Sequence, residues 1–242
     1  MKISVIVPAH NEETHIVVNT YKIIHTLKEL NYDYEIIIVD DASNDDTYLL
    51  AAKGIDHKKV IILRKIYVQG KGAAIKTGWK FATGDYIAIM DADLQILPKE
   101  IKTFFKIMKF YDADVVIGNK KHIYSNIEYP LLRKIVSAGY HILIKILFDL
   151  SLRDTQCGFK LFKKQALDLV MDKILVKQFA FDLEILVALK DNNVRVADAP
   201  VYVTKSLGTG SVNIKTILET FKDTLAIWYR RQKGYYKNAP RN

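Results

Sequence analysis

The chain has a single cysteine, Cys157, among its 242 residues. No internal disulfide is open to it, which points to a reducing compartment. No histidine-containing motif accompanies Cys157, so it reads as a structural thiol rather than a nucleophile. No uninterrupted apolar run reaches the ~18 residues that a membrane-spanning helix requires. The opening stretch, Met1-Lys2-Ile3-Ser4-Val5-Ile6-Val7-Pro8, is too short in its apolar part for a secretory signal and is soon followed by charge. The Gly-x-x-x-x-Gly-Lys-[Ser/Thr] phosphate loop is missing. Gly-x-Gly-x-x-Gly is also missing after the first strand, which weighs against a dinucleotide oxidoreductase. There is no internal repeat, no low-complexity linker and no nucleic-acid motif.

What is present is a core-forming composition. Half of the residues are hydrophobic (50%), enough to bury a full core. The length suits one large α/β domain with at most a small appendage. The formal charge of +9 implies attraction to polyanions such as phosphorylated substrates or anionic lipid.

The chain is organised around Tyr86-Ile87-Ala88-Ile89-Met90-Asp91-Ala92-Asp93-Leu94-Gln95. A short apolar run of this kind fits a strand buried on both faces. It ends in two carboxylates separated by one alanine. Open α/β sheets bind ligands outside the carboxyl ends of their strands. Asp91 and Asp93 there offer hard oxygen ligands to Mg²⁺ or Mn²⁺, and Gln95 adds a side-chain carbonyl. Alternatively, the two aspartates form a turn and cap the helix that begins near Pro98.

In chain order, Ile3 to Val7 reads as a first strand stopped by Pro8, and Thr14 to Leu30 as a helix. Glu35 to Val39 is a second buried strand ending in Asp40-Asp41, with a helix from Asp46. Val60 to Leu63 is a third strand, and Gly70-Lys71-Gly72 opens a helix to about Ala82. A helix over Pro98–Phe110 precedes a strand at Asp114–Ile117. This alternation argues for parallel βαβ units. The first, second and fourth strands end in Asn11-Glu12, Asp40-Asp41 and Asp91–Asp93. In a parallel sheet these tips share one edge, and carboxylates gathered there look like a site. A helix start at Lys71 favours phosphate; the other reading of Lys71 is a solvated helix end.

After Gly118 the pattern changes. Lys120-Lys121-His122 is a basic cluster. Leu131 to Leu150 reads as a helix with a narrow polar stripe of Lys134, Ser137, His141 and Lys145. The last helix carries Ile214, Ile217, Leu218, Phe221, Leu225 and Trp228 on one stripe and ends in Trp228-Tyr229-Arg230-Arg231. Both helices fit either core packing or a lipid headgroup layer.

The ordered set Val5–Glu13, Ile38–Ser43, Gly70–Gly72 and Met90–Gln95 closely resembles the family 2 glycosyltransferases. Arg153-Asp154-Thr155-Gln156-Cys157-Gly158-Phe159-Lys160-Leu161-Phe162 resembles their dolichyl-phosphate glucosyltransferase and dolichol-phosphate mannose synthase branch. The resemblance covers about Lys2 to Ser211. It implies a GT-A fold, a nucleotide-binding α/β sheet with helices on both faces, over residues 1–211. The remainder, 212–242, would be an amphipathic helix and basic tail. It also implies that Pro8, Ala9, Asn11 and Glu12 line the nucleotide pocket, with Asp40 near the base and Lys71, Asp91 and Ala92 beside the donor. Asp91, Asp93 and Gln95 would hold Mg²⁺ or Mn²⁺, and Arg133, with Lys121 and Lys205, the phosphate of a lipid acceptor. Asp93, Arg133 and Asp154 are the catalytic candidates. Relatives often carry arginine where Lys120 and Lys205 stand; lysine keeps the charge but loses the bidentate fork.

The implied reaction is inverting transfer of glucose or mannose from a UDP- or GDP-sugar to polyprenyl (dolichyl) phosphate at the cytoplasmic membrane face, with no nucleic acid involved. Many members carry transmembrane helices after the catalytic domain and this sequence shows none, so the expectations are a soluble branch member, a piece of a longer chain, or a subunit relying on a membrane-protein partner, with a homo-oligomer also open. The chemistry is consistent with that assignment. A hydroxyl acceptor needs a general base, for which Asp154, Asp182 and Glu184 are the candidates; a phosphate acceptor is already an anion and needs cations instead. The alternative is transfer to a sugar hydroxyl in polysaccharide or glycoprotein glycan synthesis.

Overall fold

The computed structural model describes residues 1–120, 131–150, 154–203 and 214–238 of the chain. Strand β1 (Lys2–Ala9) leads through α1 (Ile16–Glu29) to β2 (Asp33–Asp40), and α2 (Thr47–Gly54) leads to β3 (Val60–Arg64). Then follow α3 (Lys71–Phe81), β4 (Tyr86–Ile89), a 3₁₀ turn at Pro98–Glu100, α4 (Ile101–Phe110) and β5 (Val115–Asn119). The later part comprises α5 (Leu131–Phe148), β6 (Lys160–Lys163), α6 (Lys164–Met171), α7 (Phe181–Asp191), β7 (Val196–Pro200) and α8 (Ile214–Gln232).

The strands form one seven-stranded sheet in the order β3-β2-β1-β4-β6-β5-β7. Its centre is continuous apolar sequence: Ile36, Ile37, Ile38 and Val39 of β2 and Val5, Ile6 and Val7 of β1 are all buried. A strand covered by helices on both faces needs this composition. On α1, Ile16, Ile23, Ile24 and Leu27 recur at helical spacing and are the buried face. The expected parallel order holds for β3, β2, β1 and β4. It fails at β6, which runs antiparallel to both β4 and β5, while β7 returns parallel to β5. Reversing one short strand brings the loop that precedes Lys160 back to the carboxyl end of β4.

Pro8 does not stop the first strand. Ile6 O accepts the N–H of Met90, so it faces β4. Pro8, two residues on, turns its missing N–H to the same side, past the last β1–β4 pair, Ile6 with Ile89. On the other side β1 continues against β2 as far as Ala9 with Asp40.

The apolar stripe of α8 faces outward. Thr224 and Ile227 are buried against the body, whereas Leu218 is 63% and Tyr229 59% exposed, with Ile217, Phe221, Leu225 and Trp228 beside them. Tyr236, just beyond the helix, is fully buried.

Candidate active site at the strand tips

The sheet places the ends of β2, β1 and β4 side by side. The β1 and β2 loops brace each other. Asn11 has a left-handed φ of 56°, and its N–H donates to Ser43 Oγ at 2.9 Å. Its side-chain carbonyl accepts the N–H of Asn44 at 2.9 Å. The N–H of Glu12 donates to Thr47 Oγ1 at 2.7 Å, and Glu12 O caps α1 by accepting the N–H groups of His15 and Ile16. Pro8 and Ala9 form the buried floor of this corner.

Asp40 is 1% exposed. Its Oδ1 accepts from Ser43 N at 3.2 Å and from Ser43 Oγ. Its Oδ2 lies 3.3 Å from Arg64 Nε yet is buried without a hydrogen bond. An unfilled buried carboxylate oxygen is costly; it suits an N–H donor carried by a ligand. Asp41, next in sequence, has a different task. Its carboxylate accepts the N–H groups of Gln69 and Gly70, the latter at 2.6 Å, and lies 3.0 Å from Lys65 Nζ. It holds the turn where Gly70 adopts a φ of 101°, a conformation that glycine supplies without strain.

That turn starts α3 and delivers Lys71 to the β4 tip, where its ammonium sits 2.5 Å from Asp91 Oδ1. Burial opposes both charges. For Lys71 the Asp91 and Asp182 carboxylates more than compensate, and its pKa lies above the usual lysine value. For Asp91, burial would raise the pKa, but Lys71 outweighs it and holds the carboxyl below the ordinary aspartate range. Asp91 is therefore an anion throughout the neutral range. The first N–H groups of α3 are not left open to phosphate: Lys177 O accepts those of Gly72 and Ala73. The cation at this helix start is the Lys71 side chain.

Ala92 is fixed by its carbonyl, which accepts from Asn19 Nδ2 at 2.8 Å. The turn continues through Leu94 at a φ of 47°. Asp93 accepts from Gln95 N at 3.2 Å and from Gln95 Nε2 at 2.8 Å. Gln95 Oε1 faces Lys120 Nζ at 3.5 Å. Met90, Asp91, Leu94, Gln95, Lys120 and Gly158 line a small cleft here. Gly158 lies so close to the Asp91 carboxylate that a Cβ would overlap it. Asp154 ties this loop to β5: it accepts the N–H of Lys120 at 3.0 Å and that of Gln156 at 3.2 Å.

The structure thus brings together Pro8, Ala9, Asn11, Glu12 and Asp40 at one corner, and Lys71, Asp91, Ala92, Asp93 and Gln95 at the adjoining one. Arg133 falls in α5, but its side chain, like Lys121 and Lys205, lies outside the described residues. Beneath the tips, Lys160 is 1% exposed and pairs with Asp182 at 2.8 Å, donating also to Cys157 O. Asp41, counted from the sequence only among the gathered carboxylates, proves to be a brace for the turn at Gly70, while Gly158 and Lys160 had no role of their own. The available signal for Lys160 was a lysine flanked by Phe159, Leu161 and Phe162, a charge where only a paired one can be buried.

Among the described residues no group of three or more His, Cys, Asp or Glu is placed to hold a metal. Gln95, expected as a third ligand, is turned instead to Asp93 and Lys120; the donor set at the β4 tip is two carboxylates, Asp91 and Asp93. That fits a hard divalent ion that takes its remaining ligands from a substrate diphosphate and water, rather than a resident ion in an all-protein cage.

Fold and site together define a nucleotide-binding transferase of the GT-A type. The chain belongs to glycosyl transferase family 2, whose pattern matches residues 4–170, and it is a glycosyltransferase. It is 30% identical to a dolichyl-phosphate beta-glucosyltransferase of Dictyostelium discoideum, over 97% of this chain and 76% of that one. It is 31% identical to a dolichyl-phosphate beta-glucosyltransferase of Trichomonas vaginalis, over 94% of this chain and 74% of that one. Among solved structures, glucosyl-3-phosphoglycerate synthase of Mycobacterium tuberculosis superposes with a TM-score of 0.68 at 17% identity, over 95% of this chain and 80% of that one. The same enzyme in complex with Mn²⁺ and UDP-glucose gives a TM-score of 0.66 at 16% identity, over 95% of this chain and 78% of that one. At this identity the likeness concerns the fold.

Proposed function

We propose that this enzyme transfers glucose from UDP-glucose to polyprenyl (dolichyl) phosphate, with inversion. The observation that carries the acceptor is the fate of the carboxylates. Of the three candidate bases, Asp182 is paired with buried Lys160. Glu184 is 0% exposed with both oxygens occupied, and Asp154 is anchored by two backbone N–H groups. An acceptor that needs no base fits such a site. The names of the relatives support glucose as the sugar and dolichyl phosphate as the acceptor.

In this reading the uracil edge meets the unfilled Asp40 oxygen in the corner lined by Pro8, Ala9, Asn11 and Glu12. Lys71 and the Asp91–Asp93 turn meet the diphosphate, and Asp91 and Asp93 would hold Mg²⁺ or Mn²⁺, with Gln95 orienting Asp93. Such an ion, when bound, offsets charge on the leaving diphosphate. An acceptor phosphate oxygen attacks the anomeric carbon as the bond to UDP breaks, and the electron pair leaves with the diphosphate. No proton has to move. Arg133, Lys121 and Lys205 hold the acceptor phosphate in line, and Asp154 positions Lys120 beside it.

Residues 1–211 are the catalytic body in this proposal, and 212–242 its contact with the cytoplasmic face of a membrane. The outward stripe of α8 supports that contact: Phe221, Leu225, Trp228 and Tyr229 are exposed together, an arrangement favoured in a headgroup layer. Among the described residues no helix is long and apolar enough to cross a membrane.

The test is a transfer assay in which labelled UDP-glucose or GDP-mannose is offered with Mg²⁺ or Mn²⁺ and a short polyprenyl phosphate. Chelator-sensitive label extracted into organic solvent from UDP-glucose is the expected result. Donor hydrolysis without lipid label would discard the acceptor and return the hydroxyl-acceptor reading.

A further inference from the structure

Glu184 lies on α7, behind the donor site and sealed from solvent. Its Oε2 accepts the N–H groups of Leu175 and Val176 at 2.9 and 2.6 Å. Its Oε1 accepts the Tyr236 hydroxyl at 2.5 Å and Arg230 Nη2 at 2.7 Å. Arg230 Nε donates in turn to Tyr236 Oη at 2.9 Å. Each carboxylate oxygen thus takes two donors, and only an anion with acceptor capacity on both oxygens can do that.

The segment that Glu184 holds reaches the donor site directly. Lys177 O accepts the N–H of Gly72 at 2.8 Å and that of Ala73 at 3.3 Å. Ile174 O accepts from Lys76 Nζ at 2.7 Å. Gly72 is pressed so closely on the Phe181 ring that a Cβ there would lie 2.5 Å from it. The first turn of α3 is therefore clamped twice, by Asp41 on one side and by the Lys177 carbonyl on the other, with Lys71 between the clamps.

We propose that Glu184 is a positioning residue for Lys71. It fixes the 174–178 segment, whose Lys177 carbonyl fixes the first turn of α3, and that turn aims the Lys71 ammonium at Asp91. Arg230 and Tyr236 complete the lock, so the seating of the C-terminal helix is read at the donor site some way from it. The inference rests on the reading above in one respect: Lys71 is taken to meet the donor diphosphate.

Two measurements on the full chain test it. The first is amide hydrogen exchange over residues 69–81 without ligand. Glu184→Gln and Arg230→Met accelerate exchange at Gly72 and Ala73, and Arg230→Lys restores part of the protection. Faster exchange confined to α8 would overturn the proposal. If either variant fails to fold, Tyr236→Phe, which removes one hydrogen bond and keeps the ring, carries the same comparison. The second is a double-mutant cycle on UDP affinity with Mn²⁺ present. Glu184→Gln weakens UDP binding about tenfold when Lys71 is present and less than about twofold in a Lys71→Met background. Equal losses in both backgrounds would mean that Glu184 acts on the fold alone. If the wild-type chain binds no UDP, the donor reading fails, and the exchange measurement alone decides whether Glu184 sets the start of α3.

Discussion

Two groups of carboxylates use the same chemistry to opposite ends. At the strand tips, Asp91 meets Lys71 with one oxygen while about a third of its side chain stays exposed (35%). Asp40 keeps one buried oxygen without a hydrogen bond. Behind the tips, Glu184 and Asp182 are closed off: Glu184 has every acceptor position taken, and Asp182 is locked to a lysine that is itself 1% exposed. Anchored on one side, the tip carboxylates are held in place and can still receive a ligand. Filled on all sides, Glu184 makes a rigid support, and Asp182 is fixed through its pair with Lys160. The difference separates residues that should fail in chemistry from residues that should fail in stability or positioning.

Asp93→Asn is expected to lower glucosyl transfer by about 100-fold or more, because the leaving diphosphate loses its charge partner, while the unfolding transition stays where it was. Near-normal turnover would remove the metal role from this turn.

The rear group gives the next largest effect, on another axis. Arg230→Met strands the Glu184 charge in a dry site, and losing one partner of a buried pair costs about 3–5 kcal/mol. Denaturant unfolding reads that cost directly; a loss below about 1 kcal/mol would show that Tyr236 and the backbone N–H groups suffice.

How far this division was legible in the sequence follows from what each pattern encodes. The tips were readable because strands buried on both faces are unbroken apolar runs, and the polar residues that end them must lie at one edge of a parallel sheet. The direction of β6 was not readable, since four residues bounded by lysines carry no mark of orientation. The stripe on α8 was visible as a stripe, but a helical period reports that a face exists and says nothing about what covers it. Glu184 read as a candidate general base at the start of a helix. Its role depends on Leu175, Val176, Arg230 and Tyr236, partners up to 52 residues away. Pro8 seemed to stop a strand because only the register shows which side its missing N–H faces.

Because Lys71 holds the folded pKa of Asp91 below its ordinary value, ionised Asp91 contributes stability that is fully present above the unfolded value of about 4. That contribution is lost as pH falls through the depressed folded value. Asp91→Asn should therefore flatten the acid limb of the stability curve below about pH 4 and leave the neutral region's slope unchanged; an unaltered acid limb would contradict the ion pair.

The smallest expected effect concerns Cys157, whose thiol is pushed up to about 12, chiefly by burial and then by the Asp154 charge. A chromogenic disulfide reagent at pH 8 should leave it unlabelled in the native enzyme and label it fully after denaturation. Rapid native labelling would mean that the loop over Asp91 opens.

The most direct test of the open tips is calorimetric titration of UDP and GDP into the full chain, each with Mn²⁺ and with chelator. The expected result is that UDP binds, that chelator abolishes most of the binding, and that Asp40→Asn weakens what remains with metal present. Equal affinity for GDP would contradict the choice of uridine, and binding indifferent both to metal and to Asp40 would contradict the assignment of these strand ends to the donor.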